Sequence, residues 1–368
     1  MRAGTPCSPL GARRAVFLAS PTTENSYSVA DRAYHREGIK MKSGMRNIAR
    51  GASVVAVLTM LTACSGGDSG PPPPPTYTVG GTVTGLSGSA LILVNSASGA
   101  LTAVPGSPFP AGTDPKALAL LGTAPWGTYL YVANAGSDTV SAYAVDSSSG
   151  ALTPLSPATF ATGKGPSSIA VDPSLGYIYV VNNGGSNDVS AFSVDIDTGL
   201  LTPLAGSPFP AGANPLSLAL GPKAVGTDEV QFLYTANPDG TNPSISGFNL
   251  IGAVPTPLSG SPFPLVVGPY IATDRTGAYL YVTAGSGIVG YGIDGTIGML
   301  TPLPGFPVVT GTAPHLVTFD TTNQFLYVAN DGSADVSGFG FDASTGGLTP
   351  ITGSPFPAGN LPDFLATL

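Results

Sequence analysis

The sequence predicts an all-β protein, a β-propeller built from repeated four-stranded blades. Only 9% of the 368 residues are charged, against roughly 25% in an ordinary soluble domain, while 50 are glycine and 37 are proline. Helix-forming Glu, Lys and Gln are scarce and Val, Thr, Tyr and Ser are common, which is typical of many short strands joined by tight turns. A related stretch of sequence also recurs every 46 to 55 residues, the period of a propeller or solenoid.

The N-terminal region predicts export and lipid anchoring. Residues 1–40 show no periodicity and are interpreted as an extension upstream of the true start, and residues 41–63 as a signal peptide with a positive start. Its apolar run, Gly51–Leu61, is too short to span a bilayer as a helix. The run ends in LTAC, which is similar to a bacterial lipobox with Cys64 as the diacylated residue; a plain signal peptide with an incidental cysteine is the alternative. We therefore expect an exported lipoprotein of the periplasm or cell surface, held in the membrane by its lipid alone.

Residues 64–76 predict a stalk, because a flexible Gly/Ser stretch is followed by five prolines that favour extended polyproline II. Cys7 and Cys64 are too few for a disulfide framework. After Cys64 only four cations remain against 18 acids. Such a surface repels nucleic acid, so no nucleic-acid partner is expected.

Residues 77–368 are expected to form the propeller. Each unit holds four strand-like runs separated by turn residues. In the second unit the runs are GPSSIAVD (165–172), YIYVVN (177–182), DVSAFSVD (188–195) and LLTPL (200–204). The second runs of successive units start at Tyr129, Tyr177, Phe232, Tyr279 and Phe325. Four antiparallel strands without a helix describe a propeller blade.

The ends of the repeat array predict how the propeller closes. The first-strand run occurs six times, the last at residues 361–368, whereas the N-terminal part offers only three outer strands, at 77–83, 90–95 and 100–104. The C-terminal strand is therefore expected to complete the first blade, which hides an open sheet edge. This gives six blades, with seven as the alternative.

The YVAN run followed by D-x-V-S resembles the YVTN-type propellers, among them the lactonase family that includes 6-phosphogluconolactonase. The resemblance covers about residues 90–368 and implies a lactonase-type hydrolase, in a family that usually has seven blades. It also implies a Pro-His pair at the start of an inner strand, matched here by Pro314-His315. The arginine and glutamate that the family carries around its tunnel are poorly matched, since Arg275 and Glu229 are the only such residues after Cys64. A phosphorylated lactone is therefore disfavoured as substrate.

The candidate site lies at one mouth of the tunnel. Alignment of the six inner strands on their opening proline places six residues in a ring there: Lys116, Ser167, Leu216, Tyr270, His315 and Asp363. In this ring His315 is flanked by Tyr270 and Asp363, a usable arrangement for a general base that activates water. Lys116 or Tyr270 would polarise the carbonyl. The alternative for His315 is a local hydrogen-bonding role in a loop.

No cofactor or metal is expected. The run Asp195-Ile-Asp197-Thr-Gly199 has carboxylate spacing found in calcium loops, but it fits the turn between the third and fourth strands better. Two functions stay open. One is hydrolysis of an unphosphorylated sugar or other lactone, favoured by the Pro-His pair. The other is a non-catalytic propeller that binds a protein or glycan at a tunnel mouth, favoured by the scarcity of charge. With either function the protein is expected as a monomer.

The lipid anchor can be tested at Cys64. Replacement Cys64→Ser removes the acylated sulfur, so the protein should move from the membrane fraction to the aqueous phase in a detergent-partition assay. Retention of the variant in the detergent phase would show that the anchor lies elsewhere.

Blade closure can be tested by deleting residues 361–368. Loss of this inner strand should open a sheet edge and abolish cooperative unfolding, followed by circular dichroism. A truncated chain that melts like the full one would refute closure by the C-terminal strand.

Overall fold

The computed structural model consists of strands and turns. It describes residues 104–358, with gaps at 124–126, 173–175, 222–231, 240–241, 251–253 and 265–267, together with Pro362 and short strands before residue 104. No helix occurs among these residues. The described part of the chain therefore contains no helix that could span a membrane. The predicted all-β class is confirmed.

Six short strands precede the complete blades. β1 (Arg13–Ala19) pairs antiparallel with β2 (Val54–Met60), so β2 lies within the apolar run predicted as signal peptide. β3 (Ala90–Leu91) pairs with β6 (Phe109–Pro110), and β4 (Val94–Asn95) pairs with β5 (Thr102–Ala103). β3, β4 and β5 fall within the outer strands expected for the first blade at 90–95 and 100–104, whereas β6 lies beyond them. Residues 77–83 and 363–368 lie outside the described residues, so blade closure and the count of six remain predictions, as do the segment boundaries.

Five complete blades follow, each an antiparallel sheet ordered from its inner to its outer strand. Blade I contains β7 (Pro115–Thr123), β8 (Gly127–Asn134), β9 (Thr139–Val145) and β10 (Leu152–Ala161). Blade II contains β11 (Pro166–Asp172), β12 (Tyr177–Asn182), β13 (Asp188–Val194), β14 (Leu201–Pro203) and β15 (Phe209–Pro210). Blade III contains β16 (Ser217–Leu220), β17 (Phe232–Asn237), β18 (Ser244–Asn249), β19 (Thr256–Pro257) and β20 (Phe263–Pro264). Blade IV contains β21 (Ile271–Thr273), β22 (Tyr279–Ala284), β23 (Gly287–Ile293), β24 (Leu300–Pro302) and β25 (Val308–Val309). Blade V contains β26 (Pro314–Phe319), β27 (Phe325–Asn330), β28 (Asp335–Asp342), β29 (Gly347–Pro350) and β30 (Phe356–Pro357).

The outer strand of blades II to V is divided into two pieces that both pair with the third strand. In blade II, β14 and β15 pair with opposite ends of β13, and the GSP of the GSPFP motif lies between them. Ser207 Oγ accepts a hydrogen bond of 2.9 Å from the N–H of Ala191 on β13. Because proline offers no N–H to an incoming strand, these prolines protect the outer edge of the blade.

Buried tyrosines join blades I, III and IV to a turn of the blade that follows. The tyrosine that begins the YVAN-type run donates to a glycine carbonyl in the third-to-fourth-strand turn of the following blade: Tyr131 to Gly199 (2.8 Å), Tyr234 to Gly298 (2.8 Å) and Tyr281 to Gly346 (2.7 Å). All three rings are fully buried. Burial raises the pKa of Tyr131, Tyr234 and Tyr281, so each hydroxyl keeps the proton that it donates.

The receiving glycines are required for two reasons. Gly346 has φ +72°, a left-handed conformation that only glycine adopts without cost. A Cβ at this position would also lie 2.5 Å from Cδ1 of Tyr279. The turn therefore fits against the preceding blade only with glycine there.

The inner strands pack side by side in chain order, from β7 through β11, β16 and β21 to β26. Side chains near their first residues also connect them, since Ser217 Oγ donates to Pro269 O at 2.9 Å. At the other end, Thr273 Oγ1 donates to Leu220 O at 2.7 Å. Residues that open neighbouring inner strands are consequently held close together.

The Tyr281 contact yields a stability test. Replacement Tyr281→Phe keeps the ring but leaves the buried Gly346 carbonyl unpaired, which should lower the free energy of unfolding by about 1–3 kcal/mol. Urea denaturation would measure this loss of stability. Tyr177→Phe is the control, because the Tyr177 side chain is only half-buried. Burial raises the pKa of Tyr281 in the folded state. The stabilisation from its hydrogen bond should therefore be fully present below the unfolded-state pKa near 10, and it should be lost as pH rises through the folded-state pKa. Equal stability of Tyr281→Phe and wild type would contradict the role of this contact.

Candidate functional site

The site lies at the end of the blades where the inner strands begin, which we call the proline end. In three blades the opening proline pairs with the asparagine that ends the second strand, and the next ladder pair skips one residue. The skipped residues are Lys116, Ser167 and His315. Each is therefore the extra residue of a β-bulge, a feature that redirects a side chain out of the regular strand alternation.

The strand that contains His315 starts with an unusual backbone conformation. Ala313 has φ +50°, in the left-handed region, where the equivalent residues are Asp114 (φ 50°) and Gly165 (φ 63°). A left-handed alanine costs roughly 1–2 kcal/mol. The chain enters Pro314 and the bulge at His315 directly from this strained residue.

Tyr270 reaches the site by a different register. The segment from Pro269 to Asp274 is one residue shorter than the segment from Pro314 to Asp320. Tyr270 lies opposite Thr283, whose N–H donates to Tyr270 O at 3.0 Å. This is the ladder position that Leu316 occupies opposite Ala329 in blade V. Tyr270 and His315 are thus neighbours, as expected. They do not occupy equivalent strand positions, although the alignment on proline predicted that they would.

Tyr270 and His315 contact each other directly. The hydroxyl of Tyr270 lies 2.7 Å from Nε2 of His315, and the ring centroids are 4.2 Å apart at an interplanar angle of 48°. Both side chains are half-buried. A phenol and an imidazole at this distance share a hydrogen bond along which a proton can move, with the donor set by the imidazole tautomer.

Lys116 and Asp363 are not brought to this pair by the described contacts. Lys116 Nζ forms an ion pair with Asp114 Oδ1 at 2.9 Å, and the two side chains are 33% and 42% exposed. Along the described inner strands, β11, β16 and β21 lie between Lys116 on β7 and His315 on β26. Asp363, with the expected closing strand, lies outside the described residues. Their convergence with His315 remains a prediction.

The remaining ring positions have structural contacts. Ser167 Oγ donates to Leu216 O at 2.9 Å, which ties blade II to blade III.

Arg275 lies at the opposite end of the inner strand, in the turn after β21, where its Nε donates to Asp320 O at 3.0 Å and its N–H to Asn323 Oδ1 at 2.8 Å. The arginine therefore joins blades IV and V and does not reach the proline end.

The repeated asparagines and D-x-V-S aspartates belong to the blades, as expected. Asn182 Nδ2 donates to Asp188 Oδ1 (2.6 Å) and to Ser190 Oγ (2.9 Å). Asn330 makes the same two contacts, with Asp335 (2.7 Å) and Ser337 (2.9 Å). The motif joins the second and third strands at the turn between them.

The Asp195–Gly199 segment is a turn. Asp195 Oδ1 accepts hydrogen bonds from the N–H groups of Asp197 (3.0 Å) and Thr198 (3.1 Å). In the part of the chain that the structure describes, no three His, Cys, Asp or Glu side chains are grouped as a metal site requires.

Sequence reasoning passed over one residue of this region, Asp331. Its N–H donates to Ala313 O at 3.0 Å, which places it beside the entry to His315. Its Oδ1 is buried and has no hydrogen-bond partner among the described residues. Comparison of the repeats could have found it, because only this unit has an acid directly after the second strand. The equivalent residues in the other units are Ala135, Asn183, Pro238 and Gly285.

Comparison with known proteins agrees with this architecture. Residues 89–214 match the family model described as "Lactonase, 7-bladed beta-propeller". A search of curated proteins finds no match. The resemblance to lactonase propellers is thus confirmed over that segment, and the seven blades of the family differ from the count of six expected here.

Solved structures share the fold at low sequence identity. A proposed 6-phosphogluconolactonase from Bacteroides uniformis superposes with a TM-score of 0.59 at 16% identity, covering 75% of this chain and 80% of the other. A Lactobacillus plantarum protein gives 0.53 at 20% identity, covering 70% and 75%. A periplasmic gluconolactonase from Pseudomonas aeruginosa gives 0.51 at 18% identity, covering 70% and 74%. The lactonase-type propeller fold of this chain is thereby established.

Proposed function

We propose that this protein is an exported, lipid-anchored hydrolase that opens an unphosphorylated sugar lactone or a related lactone at the proline end of blades IV and V. The observation that carries the proposal is the 2.7 Å contact between the Tyr270 hydroxyl and Nε2 of His315. It is supported by the family match over residues 89–214 and by a lactonase-type fold. A neighbour described as a periplasmic gluconolactonase fits an exported protein.

The contact suits base-assisted attack of water on a lactone carbonyl. In the tautomer with the proton on Nδ1, the Tyr270 hydroxyl donates to His315 Nε2, and its oxygen accepts a hydrogen bond from the attacking water. As water oxygen bonds to the carbonyl carbon, one water proton moves to Tyr270 and the phenol proton moves to His315. When the ring C–O bond breaks, the tetrahedral oxyanion re-forms a carbonyl and the negative charge moves to the ring oxygen, while His315 is still an imidazolium. The proton then returns through Tyr270 to the leaving alkoxide, which gives the hydroxy acid.

Lys116 and Asp363 have secondary roles in this proposal. Lys116 would stabilise the oxyanion, a task suited to a fixed cation, once closure places the blade of Asp363 between blade V and blade I. Asp363 would stabilise the imidazolium from the other side of His315. Both roles depend on closure of the propeller by the C-terminal strand.

The charges near the site support a substrate without phosphate. Arg275 is held at the opposite end of the blades by Asp320 and Asn323, and Lys116 is paired with Asp114. Recognition of a phosphate favours several arginine or lysine side chains together. A neutral lactone requires no such cluster.

The proposal predicts that His315→Ala abolishes lactone hydrolysis while stability stays nearly unchanged. Loss of the base should lower kcat/KM by about 10²–10⁴-fold, and Tyr270→Phe, which interrupts proton transfer, should lower it by a similar factor. A panel of sugar and aliphatic lactones, followed by pH-stat titration of the acid released, would measure both effects. Ser167→Ala is the matched control, since Ser167 is the bulge residue of another blade.

Wild-type activity that survives His315→Ala would assign the chemistry to other residues. Absence of activity on every lactone, combined with binding of a glycan or protein that His315→Ala weakens, would instead favour the non-catalytic propeller. A large loss of stability in His315→Ala would identify a structural hydrogen-bonding histidine.

A further inference from the structure

Asp331 is the acidic side chain that the backbone places beside the entry to His315. Its N–H donates to Ala313 O, and the N–H of Gly332 donates to Thr312 O, both at 3.0 Å. The turn after β27 therefore lies along the two residues that lead into Pro314-His315. The same backbone bond connects Ala135 to Asp114 and Asn183 to Gly165 in blades I and II. Only in the blade with the histidine does this position carry a carboxylate.

The Asp331 carboxylate lacks the contacts that the other aspartates of these turns make. Asp188 and Asp335 accept from the asparagines of their own blades, and Asp138 Oδ1 accepts from the N–H of Gly165 at 2.7 Å. Asp331 Oδ1 is buried, and no donor within the described part of the chain reaches it. A buried polar atom without a partner costs free energy, so blade geometry gives no reason for an acid here.

The described cations near the proline end do not form an ion pair with the Asp331 carboxylate. Lys116 is paired with Asp114. Lys164 is exposed on the loop before β11, and β16 lies between that strand and β21. Among the described acidic residues of blade V, Asp331 is the one whose backbone N–H is bonded to Ala313, two residues before His315. Asp331 is therefore a carboxylate without a hydrogen-bond partner for its buried Oδ1 among the described residues, close to the start of the strand that carries His315.

We infer that Asp331 is a specificity-determining residue, which makes this site select neutral lactones and reject lactones that carry a phosphate or carboxylate. An unscreened negative charge at a partly buried site repels an anionic ligand at short range, while it leaves a neutral polyol unaffected. The inference deepens the proposed function, on which it rests for the identity of the substrate.

The test compares neutral and anionic ligands of one shape. Gluconolactone and its 6-phosphate report on hydrolysis, and the corresponding lactams, which resist hydrolysis, report on binding by calorimetry. The full chain is used as wild type, Asp331→Asn, Asp331→Glu and Asp342→Asn. Asp342 lies in an exposed turn at the opposite end of the same blade, so Asp342→Asn removes an equal charge away from the site.

Asp331→Asn should raise the anionic-to-neutral ratio of affinities, and of kcat/KM, by about 5–20-fold. Asp331→Glu and Asp342→Asn should stay within about twofold of wild type. An unchanged ratio in Asp331→Asn, or an equal rise in Asp342→Asn, would overturn the inference, as would failure of wild type and Asp331→Asn to bind either lactam. If the lactams bind with the predicted discrimination but no lactone is hydrolysed, the proposed hydrolase fails and the charge selection stands.

A second measurement covers the case in which Asp331→Asn does not fold. The wild-type preference for the neutral lactam should shrink severalfold between about 20 and 500 mM salt, because screening weakens repulsion by a partly exposed charge. A preference that does not depend on salt would overturn the inference.

Discussion

The structure depends above all on the hydrogen bond from a buried tyrosine to the glycine turn of the following blade. A single four-stranded sheet cannot bury both of its faces, so each blade is stable only against its neighbours. Tyr131, Tyr234 and Tyr281 fill this interface with an aromatic ring and close it with a hydroxyl bond to a carbonyl. Because ring and hydroxyl must both fit, the contact sets the distance and the rotation between successive blades.

The packing of the blades also determines which residues meet at the candidate site, because it fixes which inner strands are neighbours. Once the blades are fixed in order, β21 and β26 are neighbours, and the residues that open them lie side by side. The 2.7 Å contact between Tyr270 and His315 then requires no loop to move. A histidine held by a bulge and a tyrosine held in a regular ladder both extend from rigid strands, which favours a preorganised site.

Much of this could be predicted from the sequence, because repeats fix a fold by internal comparison. The inner strand expected at residues 165–172 occurs as β11, and the one expected to start at Pro314-His315 occurs as β26. That Tyr270 and His315 are neighbours follows from the order of blades IV and V. Register could not be predicted in the same way. Pro269 looked equivalent to Pro314, yet blade IV lacks the bulge residue. The shorter segment from Pro269 to Asp274 shows that a residue is missing, and the hydrogen bond from Thr283 to Tyr270 shows where the register changes.

Asp331 shows a second limit of sequence reasoning. Aspartate after a strand is an ordinary turn residue, and several aspartates of these blades do cap turns. What distinguishes Asp331 from the other aspartates of these turns, within the described part of the chain, is the missing hydrogen bond of its buried Oδ1, which cannot be read from residue types. A site residue of this kind becomes visible only when the contacts of its repeat equivalents are compared.

The shortened inner strand of blade IV has a broader consequence. In a repeat array, a substitution can alter only the side chain at a position, whereas loss of one residue moves every later side chain of the strand by one ladder position. In blade IV the loss is absorbed between Pro269 and Asp274, so the second and third strands keep the register of the other blades. A propeller can in this way diversify one tunnel mouth blade by blade through single-residue insertions and deletions, while the interfaces between its blades stay the same.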